Sequence, residues 1–524
     1  MTVIQVIRRN GRLYPHEIAL VRITPSQNLR QELTWKEFEL TVNRVANLLL
    51  SLGVRKGDNV LLTMKNCIEF LASYCAVIKT GGLVAPLNYR FTSQDIRYCG
   101  EVAEPKVVIL NEDFSERVVE AQGGLKTVKN FIFWGKNSPK GMLDLKSELA
   151  RLSPADFEID LRDDDPSGLY FTSGTTGDPK PVVLMHKNLE SGAMMSAVLR
   201  QLTHQDAFLL LGPMYHAGTM SWWLGHVYMG APTVILIDAK ITPQNLLGTI
   251  EKERITQSAL YVPWVLDLFE ALDSGRIKKE DYNLSAFRAI TMGGQPIPST
   301  LSNRWKKEFP QVTFHEGYGL TEGMGPNVFI PPEAEKKTGS IGRPVFNWDC
   351  MVVNERDEEV PVGEVGEIVL RGGGVMKEYY KNPGETARAL RNGWLHTGDL
   401  GRMDEQGMFY VIDRKKDVII SGGENIYPLD VEEVLMKHPK VFDAALIGIP
   451  DVRMGEIPLA IIDPKPGVTL TEEEMAKFCE EQFPRYRRPR KIAFNKIPRD
   501  GYGKIQKLAL RKKYTGAAEY FKLK

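Results

Sequence analysis

Behind Thr34 and Glu37, the apolar residues Phe38, Val42, Val45, Leu49 and Leu52 recur three and four apart until Gly53. That spacing puts them on one face, and Thr34 with Glu37 can satisfy each other's orphan backbone N–H groups, so the pattern predicts a capped amphipathic helix. Short apolar runs rich in β-branched residues at 59–63, 106–110 and 233–237 predict buried strands, and 258–272 reads as a helical stretch. Their alternation predicts an α/β fold in which sheets and helices are layered. Beyond about residue 345 the texture changes, with glycine and charge punctuating the strand-like runs 363–371 and 407–412. The charged run Arg414-Lys415-Lys416-Asp417, a Gly-Gly turn and a helix-like segment at 429–438 follow. A solvated break of this kind predicts a large N-terminal domain over 1–413 and a smaller, mobile α+β domain over 414–524.

Composition narrows the class. A chain of 524 residues exceeds what one core supports, and 43% hydrophobic with 25% charged residues is ordinary for a globular enzyme. The 67 Lys and Arg nearly cancel the 66 Asp and Glu, so no global field draws the chain to nucleic acid or an anionic membrane, and any phosphate site must be local. Five cysteines, an odd number without C-x-x-C spacing, argue against a disulfide framework or zinc site and for a reducing compartment. With no signal-peptide pattern and no uninterrupted apolar run of about 18 residues, the expectation is a cytoplasmic protein without a membrane span.

The sharpest chemical feature is Thr172-Ser173-Gly174-Thr175-Thr176-Gly177-Asp178-Pro179-Lys180. Its glycines let backbone N–H groups approach an anion, its hydroxyls donate hydrogen bonds, and Lys180 supplies charge, which together suit a polyphosphate. It is not a Walker A loop, which would end Gly-Lys-Ser/Thr.

Four further motifs follow: Glu316-Gly317-Tyr318-Gly319-Leu320-Thr321-Glu322, Gly393-Trp394-Leu395-His396-Thr397-Gly398-Asp399-Leu400-Gly401, Asp413-Arg414-Lys415-Lys416-Asp417 and Pro498-Arg499-Asp500-Gly501-Tyr502-Gly503-Lys504-Ile505. In this order they resemble the adenylate-forming enzymes, a superfamily that includes the acyl-CoA synthetases, and the resemblance spans essentially the whole chain. It implies activation of a carboxylate by ATP and Mg²⁺ to an acyl-adenylate, then transfer to the thiol of coenzyme A. It further implies that 172–180 wraps the β- and γ-phosphates, that Thr321 bonds the α-phosphate, and that Glu322, with Thr176, ligates Mg²⁺. Tyr318 would lie against adenine with Gly293, Gly294 and Gln295 as another wall, flanked by Gly317 and Gly319. Asp399 would accept the ribose hydroxyls and Arg414 would make a second contact. Lys504 would bridge carboxylate and α-phosphate. Lys416 matches the family's hinge between two domain orientations, the second of which would bring Gly422, Gly423 and Glu424 alongside the thiol. His216 matches an aromatic gate near the carboxylate.

By the same resemblance the acyl pocket is lined by 215–218, 262–264 and 323–325, an apolar, partly aromatic set with no charge to recognise an amino group. Fatty, alicyclic and aryl acids all fit that description. The expected partners are therefore a small carboxylate, ATP and CoA, with a homodimer left open. Two alternatives remain at this stage: an acyl-AMP ligase that loads a separate carrier protein, and a non-catalytic acyl or nucleotide sensor. Pro181, where the family loop usually has glycine, fixes φ and stiffens the exit from the phosphate loop.

Overall fold

Thr34 caps the helix Trp35–Ser51: its side chain accepts from the Glu37 N–H, and the Glu37 carboxylate accepts from the Thr34 N–H at 2.8 Å. Phe38, Val42, Val45 and Leu49 are buried on one face, and the chain turns at Gly53 with φ +83°. The computed structural model describes residues 1–172, 179–295, 297, 299–331, 337, 340–499 and 504–515.

The three apolar runs are the strands Asn59–Thr63, Val107–Asn111 and Thr233–Leu236. Side chains part along them at the period of two that a pleated strand imposes: Val60 and Leu62 enter a central core, whereas Leu61 joins the core on the opposite face. Residues 258–272 depart from the expected helix. Gln257–Ala259 is a strand inside the large sheet, and the helix Val262–Asp273 begins only where Pro263 sits in its first turn, a position that needs no N–H.

Two sheets organise the chain up to Arg414. In the eight-stranded sheet the order is Glu378–Tyr379, Lys180–Met185, Pro166–Thr172, Leu83–Pro86, Asn59–Thr63, Val107–Asn111, Asn130–Trp134 and Leu143–Asp144, parallel from Pro166–Thr172 onward. The thirteen-stranded sheet runs from Leu29–Thr34 through a parallel centre to an antiparallel extension that ends at Trp348–Val353. Between the sheets lie the helices Val3–Leu13, Trp35–Ser51, Ile68–Lys79, His186–Leu199 and Ala217–Met229. All twelve residues of Ile68–Lys79 are buried. Further helices cover the outer faces: Pro243–Lys252, Val262–Asp273 and Ser299–Glu308 on one side, Ser93–Ala103 and Ser115–Ala121 on the other.

From Ile419 onward a separate sheet forms, built on the hairpin of Val441–Asp451 and Gly455–Pro464. Ala444 and Leu446 enter one of its cores and Ala445 and Ile447 the other. Ile419–Ser421 and Glu424–Ile426 are joined by Gly422 and Gly423 at φ +60° and +87°, the two-residue turn that left-handed glycines permit. The helix-like segment read at 429–438 is Pro428–Leu435. Among the described residues no helix is long and apolar enough to cross a membrane.

Candidate active site

Two glycine-rich stretches far apart in the chain meet at the ends of parallel strands. Ala289–Gly293 runs beside Thr313–Leu320 with Gly293 opposite Gly317. A Cβ on Gly293 would lie 2.5 Å from the Gly317 carbonyl oxygen, and one on Gly319 would lie 1.9 Å from that of Gly325, so close backbone approach forbids any side chain. Gly317, Tyr318 and Gly319 therefore belong to a strand and not, as their glycines suggest, to a turn. Gly294, at φ +83°, and Gln295 continue directly from the neighbouring strand.

Tyr318 donates a hydrogen bond from its hydroxyl to Asp399 Oδ2 at 2.5 Å. Arg414 Nε lies 3.0 Å from Asp399 Oδ1, the two residues facing each other across Leu395–Met403 and Phe409–Arg414. Asp399 is only 4% exposed, so a full charge is held there by two engaged oxygens. Burial, and then the Asp399 charge, raise the Tyr318 hydroxyl well above its ordinary range, which keeps it a donor. The Asp399 carboxylate in turn raises Arg414, with smaller help from Tyr318, Asp417 and Glu322. Glu322 is thus within electrostatic reach of the same guanidinium.

Thr321 and Glu322 form the single 3-10 turn after the strand that carries Tyr318. The Tyr379 hydroxyl donates to Glu322 Oε1 at 2.8 Å. Glu322 Oε2 has no hydrogen-bond partner among the described residues. One carboxylate oxygen so presented fits Mg²⁺, which is usually held by one or two carboxylates together with substrate phosphates and water. Among the described residues no group of three or more His, Cys, Asp or Glu could hold an ion by itself.

Lys180 opens the strand Lys180–Met185, where it pairs with Thr172, and its Nζ lies 2.6 Å from Glu385 Oε2. The two ends of the predicted phosphate loop are therefore neighbours in one sheet. Ser173, Gly174, Thr175, Thr176 and Gly177 lie outside the described residues. Pro181 stands opposite Phe171, and its carbonyl accepts from the Tyr380 N–H at 2.8 Å.

His216 is the N-cap residue of Ala217–Met229. Burial, and next the positive charge of Lys504, bring its pKa down to about 3, so the ring is neutral. Lys504 thereby lies within electrostatic reach of His216. Three contacts hold its surroundings. Arg499 and Ile505 form a backbone bridge on either side of 500–504, Arg499 forks onto Asp443 at 2.7 and 2.6 Å, and Lys507 Nζ lies 3.0 Å from Glu432 Oε1. Nearby, burial pushes the Asp413 carboxyl up to about 7. Lys416 is exposed in the turn that follows. Gly422 and Glu424 line a pocket of about 320 Å³ with Arg485, Tyr486 and Arg490.

Tyr215 packs beside His216, while Trp264 and Trp222 pack on Tyr261. Ring centres are 5.5 Å apart for Tyr215 and His216, 5.4 Å for Tyr261 and Trp264, and 6.4 Å for Trp222 and Tyr261. Trp223, in contrast, is fully buried with its ring 6.4 Å from Tyr74 in the central core. The sequence reading missed Tyr379 and Glu385. Their strand and helix, Glu378–Tyr379 and Pro383–Ala389, are two and seven residues long, too short for a periodic signal.

Family models for the AMP-binding enzyme and for the AMP-binding enzyme C-terminal domain match residues 7–380 and 430–504. A feruloyl-CoA synthase from an Amycolatopsis species is 33% identical over 97% of this chain and 98% of its own length. The long-chain-fatty-acid–CoA ligase FadD13 of Mycobacterium tuberculosis is 31% identical over 97% of this chain and 98% of its own. Among solved structures, o-succinylbenzoate CoA synthetase from Bacillus subtilis, in complex with its acyl-adenylate intermediate, superposes with a TM-score of 0.83 at 28% identity, covering 97% of each chain.

Proposed function

The chain belongs to the AMP-binding enzyme family, and on that footing we propose that it is an AMP-forming acyl-CoA synthetase. It activates an apolar carboxylate with ATP and passes the acyl group to coenzyme A. In the first step a carboxylate oxygen attacks the α-phosphorus and pyrophosphate leaves. In the second the thiol sulfur attacks the acyl carbon and AMP leaves. Both partners of the first step are anions, so the site must cancel charge and fix an in-line geometry.

The reach of Lys504 to His216 is the observation that most supports this reading. A cation from the C-terminal part of the chain comes within electrostatic reach of a neutral ring at the edge of the proposed acyl pocket, where a carboxylate and an α-phosphate would both need it. Asp399, held by Tyr318 and Arg414, serves as the ribose acceptor, and Tyr318 with 293–295 flanks the base. Thr321 donates to the α-phosphate, while Lys180 and the 172–180 loop take the β- and γ-phosphates. Glu322 Oε2 would hold Mg²⁺, which when bound would neutralise phosphate oxygens. Because Arg414 closes a strand of the thirteen-stranded sheet, the moving part of the expected 414–524 domain is the chain beyond it, with Lys416 at the hinge and Gly422, Gly423 and Glu424 on the face that receives the thiol. Five free cysteines suit a reducing cytoplasm.

For the acid itself, the rings of Tyr215 beside His216 and of Trp264 in the expected lining, with the feruloyl-CoA synthase relative, favour an aryl acid, whereas the fatty-acid ligase keeps alkyl acids in the test. The experiment is carboxylate-dependent release of pyrophosphate and AMP over a panel of aliphatic, alicyclic and aromatic acids, with and without CoA. Turnover that CoA accelerates is expected for one of these classes. Pyrophosphate release that CoA does not accelerate would reassign the enzyme to loading a carrier protein.

A further inference from the structure

Lys180 and Glu322 come from different sheets, yet one short segment touches both. Residues 377–380 pair with the strand that Lys180 opens: the Lys377 N–H donates to the Val183 carbonyl, Tyr379 stands opposite Val182, and the Tyr380 N–H donates to the Pro181 carbonyl. The segment is also braced on itself, because Thr386 Oγ1 accepts from the Tyr379 N–H at 3.0 Å and Asn382 caps the helix that carries Glu385. From this frame the Tyr379 hydroxyl reaches Glu322 Oε1 at 2.8 Å while its ring centre lies 5.5 Å from Lys180 Nζ. Glu385 Oε2 takes the Lys180 ammonium at 2.6 Å.

A carboxylate oxygen on an ammonium offers the same kind of contact that a phosphate oxygen would offer. A phosphate oxygen would compete with Glu385 for Lys180. Glu385 also pairs with Arg388, so its carboxylate keeps a cation when Lys180 leaves. Tyr379 has no such exchange to make, since its bond is to Oε1 and Oε2 of Glu322 has no partner among the described residues.

We propose that Tyr379 and Glu385 are positioning residues of the nucleotide site: Glu385 holds Lys180 in place of a phosphate oxygen until nucleotide arrives, and Tyr379 fixes the orientation of Glu322. This rests on the reading that Lys180 and Glu322 serve the phosphates and the metal. The test is calorimetric titration of the full chain with ATP in the absence of carboxylate, with and without Mg²⁺, so that binding is read without turnover. Glu385→Gln removes a competitor and should tighten ATP by up to roughly fivefold in both conditions, the scale of one part-exposed ion pair. Tyr379→Phe should weaken ATP by a similar factor with Mg²⁺ present and leave Mg²⁺-free binding unchanged. Unchanged or weaker binding by both Glu385→Gln and Glu385→Ala would overturn the exchange, and equal losses by Tyr379→Phe with and without Mg²⁺ would overturn the role of Tyr379. Lys180→Ala separates the layers. If it leaves ATP binding intact, the phosphate role of Lys180 falls and the proposal with it; if it weakens binding while both Glu385 variants change nothing, the exchange alone falls.

Discussion

Tyr318 and Asp399 are joined by a 2.5 Å hydrogen bond across 81 positions of sequence, and Arg414 occupies the other carboxylate oxygen at 3.0 Å. The carboxylate is thus held in one orientation with its charge compensated. Asp399→Asn keeps the shape and removes the charge. It should raise the ATP KM roughly tenfold or more, since a hydrogen bond to a charged group contributes about 1.5 to 3 kcal/mol. It should also lower the melting temperature by leaving Arg414 without its carboxylate partner. An ATP titration beside a thermal melt checks both.

Lys504→Ala should separate the two chemical steps. Adenylation, followed as pyrophosphate release, is expected to fall by roughly 10²-fold or more, the scale of losing a key electrostatic donor. Conversion of a supplied acyl-adenylate and CoA to thioester should persist. Equal loss of both would contradict a role for this lysine in the first step alone.

Acid should destabilise the fold well before its carboxylates titrate. His186, His226 and His315 are buried, and burial first of all lowers their pKa values to about 4, 3 and 4. In the unfolded chain these rings take up protons near pH 6.5, so between that value and about 4 the unfolded state binds more protons. Their contribution is complete above about pH 6.5 and is lost as pH falls, at up to about 1.4 kcal/mol per pH unit for each ring. Urea unfolding at pH 7, 6 and 5 measures the slope, and midpoints that stay level over that range would refute it.

Asp413 runs the opposite way. Its carboxyl, raised mainly by burial, accepts hydrogen bonds from the N–H groups of Arg414 and Leu429 and shares its surroundings with Lys507, Asp417 and Glu432. With a folded value near 7 it keeps its proton after the unfolded chain has lost it, so its contribution weakens as pH rises from about 4 to 7 and then levels off. Asp413→Asn should gain stability relative to the parent chain across that window. The difference in urea midpoint, followed from pH 5 to 8, should therefore grow and then plateau.

What the sequence could disclose was whatever is carried locally. The helix behind Thr34 was legible because both its cap and its stripe lie within twenty residues, and the strand Asn59–Thr63 because a buried run is short and apolar. Residues around Tyr318 form a strand that their glycines do not advertise, because glycine usually marks a turn, whereas here it makes room for the neighbouring backbone at Gly325. The helix expected from 258 failed because a strand buried on both faces and a buried helix share an apolar composition. At the site, Asp399, Arg414 and Lys504 stand in recognisable strings. Their supports do not: Tyr379 on Glu322, Glu385 on Lys180, Asp443 on Arg499 and Glu432 on Lys507 are ordinary residues whose pairing has no period and no spacing to find.

The thirteen-stranded sheet has one more implication. Tyr318 and Asp399 stand on strands of that one sheet, and Arg414 closes another, while Lys504 comes after the separate sheet that begins at Ile419. The proposed grip on base and sugar and the cation proposed for the reacting atoms thus have different mechanical footings. Withdrawing the second would leave the first undisturbed. Drift in the last hundred residues could then alter which thiol is served without retuning how the nucleotide is recognised, so acceptor choice and nucleotide choice are free to evolve on separate schedules.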